Sequence, residues 1–330
     1  MRIAMIGAGA MGSMFGARFA RAGADVVLYD LDAAHVAAVA SRGLTVKTPQ
    51  GDLHVALPAT GDPLAIGAAD CAVVLVDSNA TAVAARVIAT ALPPGAFALT
   101  LQNGIGNVEA LVEVLGSARV VAGTTYNSAA RLGPGTVLHS NAGETTIGEL
   151  DGTASPRVAA LADLFRAAGL PIAVSDNVLG HIWMKFVLNA AINPVAAITG
   201  FRPGEIVRND AARSLLEKAL AEILAVVDAR GVRLPEEDPW SAVLDHAYER
   251  YNRPSMLQHV EEGRRTEIDA LNGALVAEAG RLGIPCPVNA AIVLSVKAIE
   301  ARSSKRRLSP AIDEAALEAE ARAGPRPRWR

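Results

Sequence analysis

Cysteine is almost missing from this chain, and the shortage is informative. Its two cysteines, Cys71 and Cys286, lie far apart and lack metal-ligand spacing. Two such residues cannot staple a disulfide scaffold. They fit buried free thiols in a reducing compartment, so a cytoplasmic location is expected, with a single disulfide as the less favoured alternative. Histidines are few and scattered, with neither HExxH nor paired spacing, so no metal site is expected. No run of 18 uncharged apolar residues occurs, which argues against a membrane span. No excess of one charge exists either. The net charge of −3 gives no field to draw the whole molecule to nucleic acid or an anionic membrane. The opening MRIAMIGAGAMG has too short and too glycine-rich an apolar core for a secretory signal. No internal repeat is present.

Lysine is scarce as well. Of 31 basic residues only Lys47, Lys185, Lys218, Lys297 and Lys305 are lysines. Arginine serves wherever any cation will do, so a lysine inside an apolar segment hints that its chemistry is wanted there. Lysine can deliver a proton, which arginine effectively cannot.

What is present points to two domains, as expected for 330 residues. Short apolar runs at 2–6, 24–30, 71–76, 97–102 and 119–125 alternate with helical patterns. That alternation predicts an α/β, Rossmann-type, doubly wound parallel sheet. Residues 131–150 alternate with period two between Gly and Pro turns and read as an added antiparallel hairpin. A helix at about 155–168 and a strand at 171–176 close a first domain, 1–176. Beyond Asn177 strand signals nearly vanish, which predicts an all-α second domain over 177–308. A Pro/Arg-rich tail, 309–330, reads as flexible.

Gly7, Gly9 and Gly12 form G-x-G-x-x-G directly after a strand and at the opening of a helix. The first glycine allows a tight turn, the second lets backbone approach a pyrophosphate, and the third lets helix and strand pack closely. Gly7, Ala8, Gly9, Ala10, Met11 and Gly12 are therefore predicted to bind a dinucleotide. Asp30 ends the next strand, 18 residues on, where a carboxylate binds a ribose 2′-hydroxyl and repels a 2′-phosphate. That favours NAD. The alternative is that Asp30 only caps the following helix.

GHIWMKFVLNAAINPVAAITG, residues 180–200, is apolar except for Lys185, Asn189 and Asn193, which recur every four residues and share one helix face. On this evidence alone, a buried lysine more often snorkels or pairs with a carboxylate, and the asparagines can serve as interhelical hydrogen-bonding groups. Pro194 marks a kink or break after Asn193. A second stretch, NRPSMLQHVEEGRRTEID at 252–269, carries Asn252, Ser255 and Glu267. One helix over 255–282 would set Glu267 about 18 Å along the axis from Ser255, at opposite ends of a cleft. Glu267 has a plainer reading as a surface glutamate paired with Arg264 or Arg265.

Together with GAGAMG at 7–12 and LQNGIGN at 101–107, these two stretches resemble the ketopantoate reductase (2-dehydropantoate 2-reductase) family. The matching elements occur in the family's order over most of the chain. The resemblance implies an oxidoreductase that passes hydride from NAD(P)H to the 2-oxo group of ketopantoate, giving (R)-pantoate for pantothenate and coenzyme A synthesis. By resemblance, Lys185 is the general acid and Glu267 assists catalysis and holds substrate. Asn103 lies by the nicotinamide and the substrate, Asn189 and Asn193 contact the substrate, and Asn252 and Ser255 hold its carboxylate end. The chain departs from the family in lacking a basic residue after Tyr29-Asp30-Leu31 and in having Asp77 where many members carry lysine. Asp77 should border the cofactor. The resemblance points to NADP, while Asp30 and the missing basic residues favour NAD.

The implied partner is a small-molecule 2-oxo acid, with no nucleic acid and no membrane; assembly as a homodimer is left open. An NAD-dependent 2-hydroxyacid dehydrogenase acting on another branched or aromatic 2-oxo acid is the alternative. A hydroxyisobutyrate- or phosphogluconate-type dehydrogenase fits the second stretch less well. A non-catalytic dinucleotide sensor would not need Lys185, Asn189, Ser255 and Glu267 together.

Overall fold

Strand β1 (Arg2–Ile6) is apolar after its first residue because both of its faces are covered. Ile3 and Met5 enter one hydrophobic cluster, Ala4 and Ile6 another on the opposite side. The computed structural model describes residues 1–308, so the flexible tail expected at 309–330 lies outside the described residues.

The chain continues through α1 (Ala10–Arg21), β2 (Asp25–Tyr29), α2 (Ala33–Arg42), β3 (Leu44–Lys47), β4 (Leu53–Val55), β5 (Ala59–Thr60), β6 (Cys71–Val74), α3 (Thr81–Ala91), β7 (Phe97–Thr100), α4 (Asn107–Leu115) and β8 (Val120–Thr125). Then come β9 (Ser128–Gly133), β10 (Thr136–Asn141), β11 (Thr145–Glu149), α5 (Pro156–Ala167) and β12 (Ile172–Val174). Eight strands form one sheet in the order β12-β11-β8-β7-β6-β1-β2-β5. The chain leaves β1 toward β2 on one side and β6 on the other. Helices cover both faces, as in a doubly wound sheet.

The sheet is not parallel throughout, because β11 runs antiparallel to β8. No crossover helix joins these two strands. The chain instead makes the hairpin β9–β10 and returns, and a return without crossover reverses direction. The hairpin was legible in its period-two pattern. Its partners were not: β10 pairs with β3, and β4 completes a separate four-stranded sheet.

From Val178 the described chain is helical: α6 (Val178–Thr199), α7 (Pro203–Ile206), α8 (Asp210–Ala229), α9 (Pro239–Tyr248), α10 (Ser255–Glu261), a π-turn at Asp269–Gly273, α11 (Ala274–Leu282) and α12 (Pro287–Leu308). Helix α6 is the spine of a third cluster that includes Trp183, Phe186, Val187, Leu216 and Ile223. By length and composition α6 could cross a membrane, but 67% of its most apolar window is buried inside the protein, as in a core helix. Helix α6 runs past Pro194 to Thr199 without a break. One expectation fails here. Residues 255–282 are not one helix, because Gly263 adopts φ +63° and ends the first turn series. Thr266 then starts a new one, its hydroxyl accepting from Ile268 N–H and its own N–H donating to Glu300 on α12.

Glu149, buried at the end of β11, is gripped by Arg157 of α5 through two bonds of 2.7 and 2.6 Å. The guanidinium also lies 5.1 Å from the centre of the Phe97 ring. Arg157 and the Ser155 hydroxyl hold the Glu149 carboxyl below the usual carboxylate range despite its burial. Arg157→Ala strands that carboxylate and is expected to cost about 3 kcal/mol at neutral pH by urea denaturation. A depressed carboxyl pKa contributes stability above its unfolded value and loses it as pH falls through the folded value, so the gap between variant and wild type should narrow in acid.

Candidate active site

The carboxyl ends of β1, β6, β7 and β8 define one edge of the sheet, where an open α/β sheet binds ligands. The glycine turn sits there. Gly7 has φ +93°, and a Cβ on it would meet Val76 backbone nitrogen at 2.9 Å. A Cβ on Gly12 would lie 1.9 Å from the Gly7 carbonyl oxygen, whereas one on Gly9 would meet nothing within 4 Å. Two glycines thus serve internal packing, and the middle one leaves backbone open to an approaching ligand. Helix α1 begins at this point with no side-chain cap and no acidic residue in its first turn. Its exposed N–H groups suit a pyrophosphate. Turn and helix together fit a dinucleotide.

Asp30 follows β2, whose last residue Tyr29 accepts the Gly7 N–H at 2.9 Å and so ties the strand end to the turn. One Asp30 oxygen accepts the Asp32 N–H at 2.9 Å. The capping of α2 is done by Asp32, which accepts from His35 N–H. Asp32 also pairs with Arg131 of the hairpin at 2.7 Å. Sequence reading missed this arginine, which lies about a hundred residues away in the chain and beside the end of β2 in space. It missed His35 too. That fully buried ring accepts the Gly135 N–H at Nδ1 (3.1 Å), so its Nε2–H donates to Ser13 Oγ (3.0 Å), which donates to the Ala8 carbonyl (2.7 Å). Burial, then the Arg131 charge, keep His35 below its ordinary pKa, consistent with this neutral tautomer.

The loop after β7 carries Asn103-Gly104-Ile105-Gly106, with Gly104 and Gly106 at φ +87° and +88°. Asn107 Nδ2 and Ser78 Oγ donate to the Asn103 carbonyl at 2.9 and 3.2 Å, fixing its backbone. The Asn103 side chain is left exposed, and its Oδ1 accepts from Lys185 Nζ at 2.7 Å. The same ammonium donates to the Thr125 carbonyl at 2.5 Å. Thr125 ends β8 and is itself braced: Asn127 Nδ2 donates to its hydroxyl at 2.9 Å, and Asn127 Oδ1 accepts from His139 at 3.0 Å. Tyr126 presents its ring 5.5 Å from the ammonium, within cation–π range. Two of the three ammonium N–H groups are thereby engaged, and the third can serve a ligand. Burial drives the Lys185 pKa down to about 8, against the opposing pull of the Glu267 carboxylate.

Along α6 from Trp183 to Ala197, Lys185, Asn189 and Asn193 are the positions left partly accessible, and every other side chain there is buried. The stripe read from spacing is therefore the open face of a core helix. Glu267 is half-buried just before the π-turn. It is not the partner of its neighbouring arginines, since Arg264 pairs with Glu262 and Arg265 with Asp269. The break at Gly263 removes the straight-helix separation of Ser255 from Glu267. The π-turn also reaches the nucleotide side, because a Cβ on Gly104 would lie 3.0 Å from the Ala270 carbonyl. Asp77, after β6, and Asn252 are exposed. Ser255 is exposed as the first residue of α10, which packs on α6. None of these three joins the Lys185 hydrogen-bond group among the described residues. Next to Tyr126 lies a cavity of about 300 Å³, lined by Thr124, Met184, Leu188, His246 and Arg250.

Comparison with known proteins bears on this geometry. The family described as ketopantoate reductase PanE/ApbA matches residues 3–152, and its C-terminal counterpart matches residues 177–300. A 2-dehydropantoate 2-reductase of Halobacterium salinarum is 36% identical over 87% of this chain and 95% of its own length. That of Pyrococcus abyssi is 32% identical over 93% of this chain and all of its own. Among solved structures, a PanE/ApbA family ketopantoate reductase from Ralstonia eutropha superimposes with a TM-score of 0.81 at 36% identity, covering 92% of this chain and 99% of that one. A D-mandelate dehydrogenase solved with NADH and anilino(oxo)acetate gives 0.80 at 25% identity, with the same coverage.

The contact at Gly12 yields a direct test. Gly12→Ala forces α1 away from the turn. Overpacking of this kind costs about 1–3 kcal/mol, so nicotinamide dinucleotide binding should weaken roughly tenfold to hundredfold by calorimetry.

Proposed function

The chain belongs to the ketopantoate reductase family, a family of NAD(P)-dependent oxidoreductases, and on that footing we propose that it reduces 2-dehydropantoate to (R)-pantoate with Lys185 as general acid. The observation that carries this reading is the placement of the Lys185 ammonium. It is fixed by Asn103 and Thr125 at the carboxyl edge of the sheet, with one N–H unengaged. Residues 1–176 act as the nucleotide domain and 177–308 as the substrate domain, with the site between them.

Gly7, Ala8, Gly9, Ala10, Met11 and Gly12 would hold the pyrophosphate, Asp30 the ribose, and Asp77 and Asn103 the nicotinamide side. NAD(P)H, when bound there, supplies the hydride. Lys185 gives its third N–H to the substrate's carbonyl oxygen and stabilises the negative charge that develops on it. It then transfers that proton, completing the alcohol. A lysine in water holds its proton too tightly for this at neutral pH, and burial that brings its pKa to about 8 makes the transfer easier. Glu267 keeps the ammonium form populated and helps to hold the substrate. Asn189 and Asn193, on the same open face, orient the substrate without adding charge. Asn252 and Ser255 receive its carboxylate.

NADH is the favoured donor. Asp30 carries a carboxylate where a 2′-phosphate would sit, and the nearby Arg131 is engaged by Asp32. A second reading is a 2-hydroxyacid dehydrogenase acting on another branched or aromatic 2-oxo acid. The NADH-bound D-mandelate dehydrogenase relative and the Asp30 carboxylate both favour it.

Lys185→Ala should lower kcat about 10²–10⁴-fold. In wild type, kcat/KM for reduction should fall as pH rises through about 8, because the deprotonated amine has no proton to give. Steady-state rates with ketopantoate and other 2-oxo acids, each with NADH and NADPH, choose between the two readings. A ketopantoate kcat/KM far below that of a simpler 2-oxo acid would reject the first. Tighter NADPH than NADH binding would reject the coenzyme assignment, and Asp30→Ala should move preference toward NADPH.

A further inference from the structure

Pro194 lies inside α6 and has no N–H, so the carbonyl of Ala190, four residues earlier, is deprived of its helical donor. That carbonyl is nevertheless satisfied, because Asn272 Nδ2 donates to it at 2.9 Å. The second Nδ2 hydrogen goes to Asn289 Oδ1 at 2.8 Å. Asn289 Nδ2 in turn donates to Glu222 at 2.7 Å and to the Ala219 carbonyl at 3.1 Å. Glu222 accepts the Val288 and Asn289 N–H groups at the start of α12. Both Asn272 and Asn289 are fully buried. The chain of bonds thus joins the π-turn to α6, α8 and α12. The amide orientation of Asn272 follows from its surroundings, since both neighbours are acceptors and only an NH₂ group serves them.

The arrangement carries a cost. Asn272 Oδ1 is buried and has no hydrogen-bond partner, which is unfavourable in a dry interior. Alanine at 194 and an apolar residue at 272 would remove this orphan, although Asn289 Oδ1 would then lose its donor. What the pair supplies besides these bonds is its position. Asn272 lies in the π-turn, where Gly273 N–H bonds the Ile268 carbonyl and Leu271 N–H bonds that of Glu267. π-turns of this kind occur frequently at functional sites. Ala190 lies about 7.5 Å along α6 from Lys185.

We propose that Asn272 is a positioning residue: by occupying the carbonyl that Pro194 leaves unpaired, it fixes the Glu267 segment against the helix that carries Lys185. This rests on the reading of Lys185 and Glu267 as the reacting pair. The charged group acting on Lys185 is Glu267, and Tyr126 is the titratable side chain in contact with it.

The test uses Asn272→Ala, Pro194→Ala and the double variant. Pro194→Ala restores an N–H for the Ala190 carbonyl, so the urea-midpoint loss caused by Asn272→Ala should be smaller in that background. Catalysis should not be rescued. Relative to Pro194→Ala, the double variant should lose roughly tenfold to hundredfold in kcat, the scale of an ångström-size misplacement. Its alkaline limb should shift to lower pH, as in Glu267→Gln, because Lys185 loses the carboxylate that supports its charged form. Equal stability losses in both backgrounds, or an unshifted limb with unchanged kcat in the double variant, would overturn the proposal. If Lys185→Ala turns over like wild type, the reading of the pair fails instead. If Lys185→Ala is inactive while the double variant keeps its rate and limb, only the role of Asn272 falls.

Discussion

One ammonium group, Lys185 Nζ, ties the helical part of the chain to the edge of the sheet. Its two acceptors come from the ends of adjacent strands, Asn103 after β7 and Thr125 at the end of β8. Each acceptor is the endpoint of its own polar network. Asn103 is held through Asn107, Ser78, Thr81 and Gln102. Thr125 is held through Asn127, His139 and Arg18, back to helix α1. The ammonium is therefore located by one backbone oxygen of the sheet and by one side-chain oxygen whose backbone is held at the sheet's edge. Burial makes the charge expensive, and the fixed oxygens and the Tyr126 ring keep it bound.

Helix α6 meets two demands that normally conflict. It is the apolar spine of the helical core, and it carries polar groups on its one open face. Periodicity reconciles them, because one residue in four faces outward while the remaining faces pack. The proline in the same helix is tolerated for a local reason, an amide from another segment that replaces the missing internal bond.

Much of this was legible beforehand. The glycine turn, Asp30 and the polar stripe obey short-range rules, so their residues could be named from spacing, whereas Asn103 and Asp77 were named through the family resemblance. The hairpin showed in its alternation, but its pairing with β3 is a long-range event that no local pattern encodes. The break at Gly263 was misjudged because the apolar spacing resumes in helical register beyond it, Ile268 following Val260 by eight residues. The glycine and the Thr266 cap were the available signals. Arg131, His35 and Thr125 escaped notice for a common reason. Arg131 and His35 matter through partners roughly a hundred residues distant, and Thr125 acts through a backbone oxygen, to which side-chain identity is blind.

The meeting of Arg131 and Asp32 places the tip of an appended sheet beside the end of β2. The parallel sheet does not run through that hairpin, yet Gly135 reaches the glycine turn through His35 and Ser13, and His139 braces Thr125 through Asn127. The charge balance just past β2 is thus written jointly by two sheets, since the carboxylate of Asp32 belongs to one and its guanidinium partner to the other.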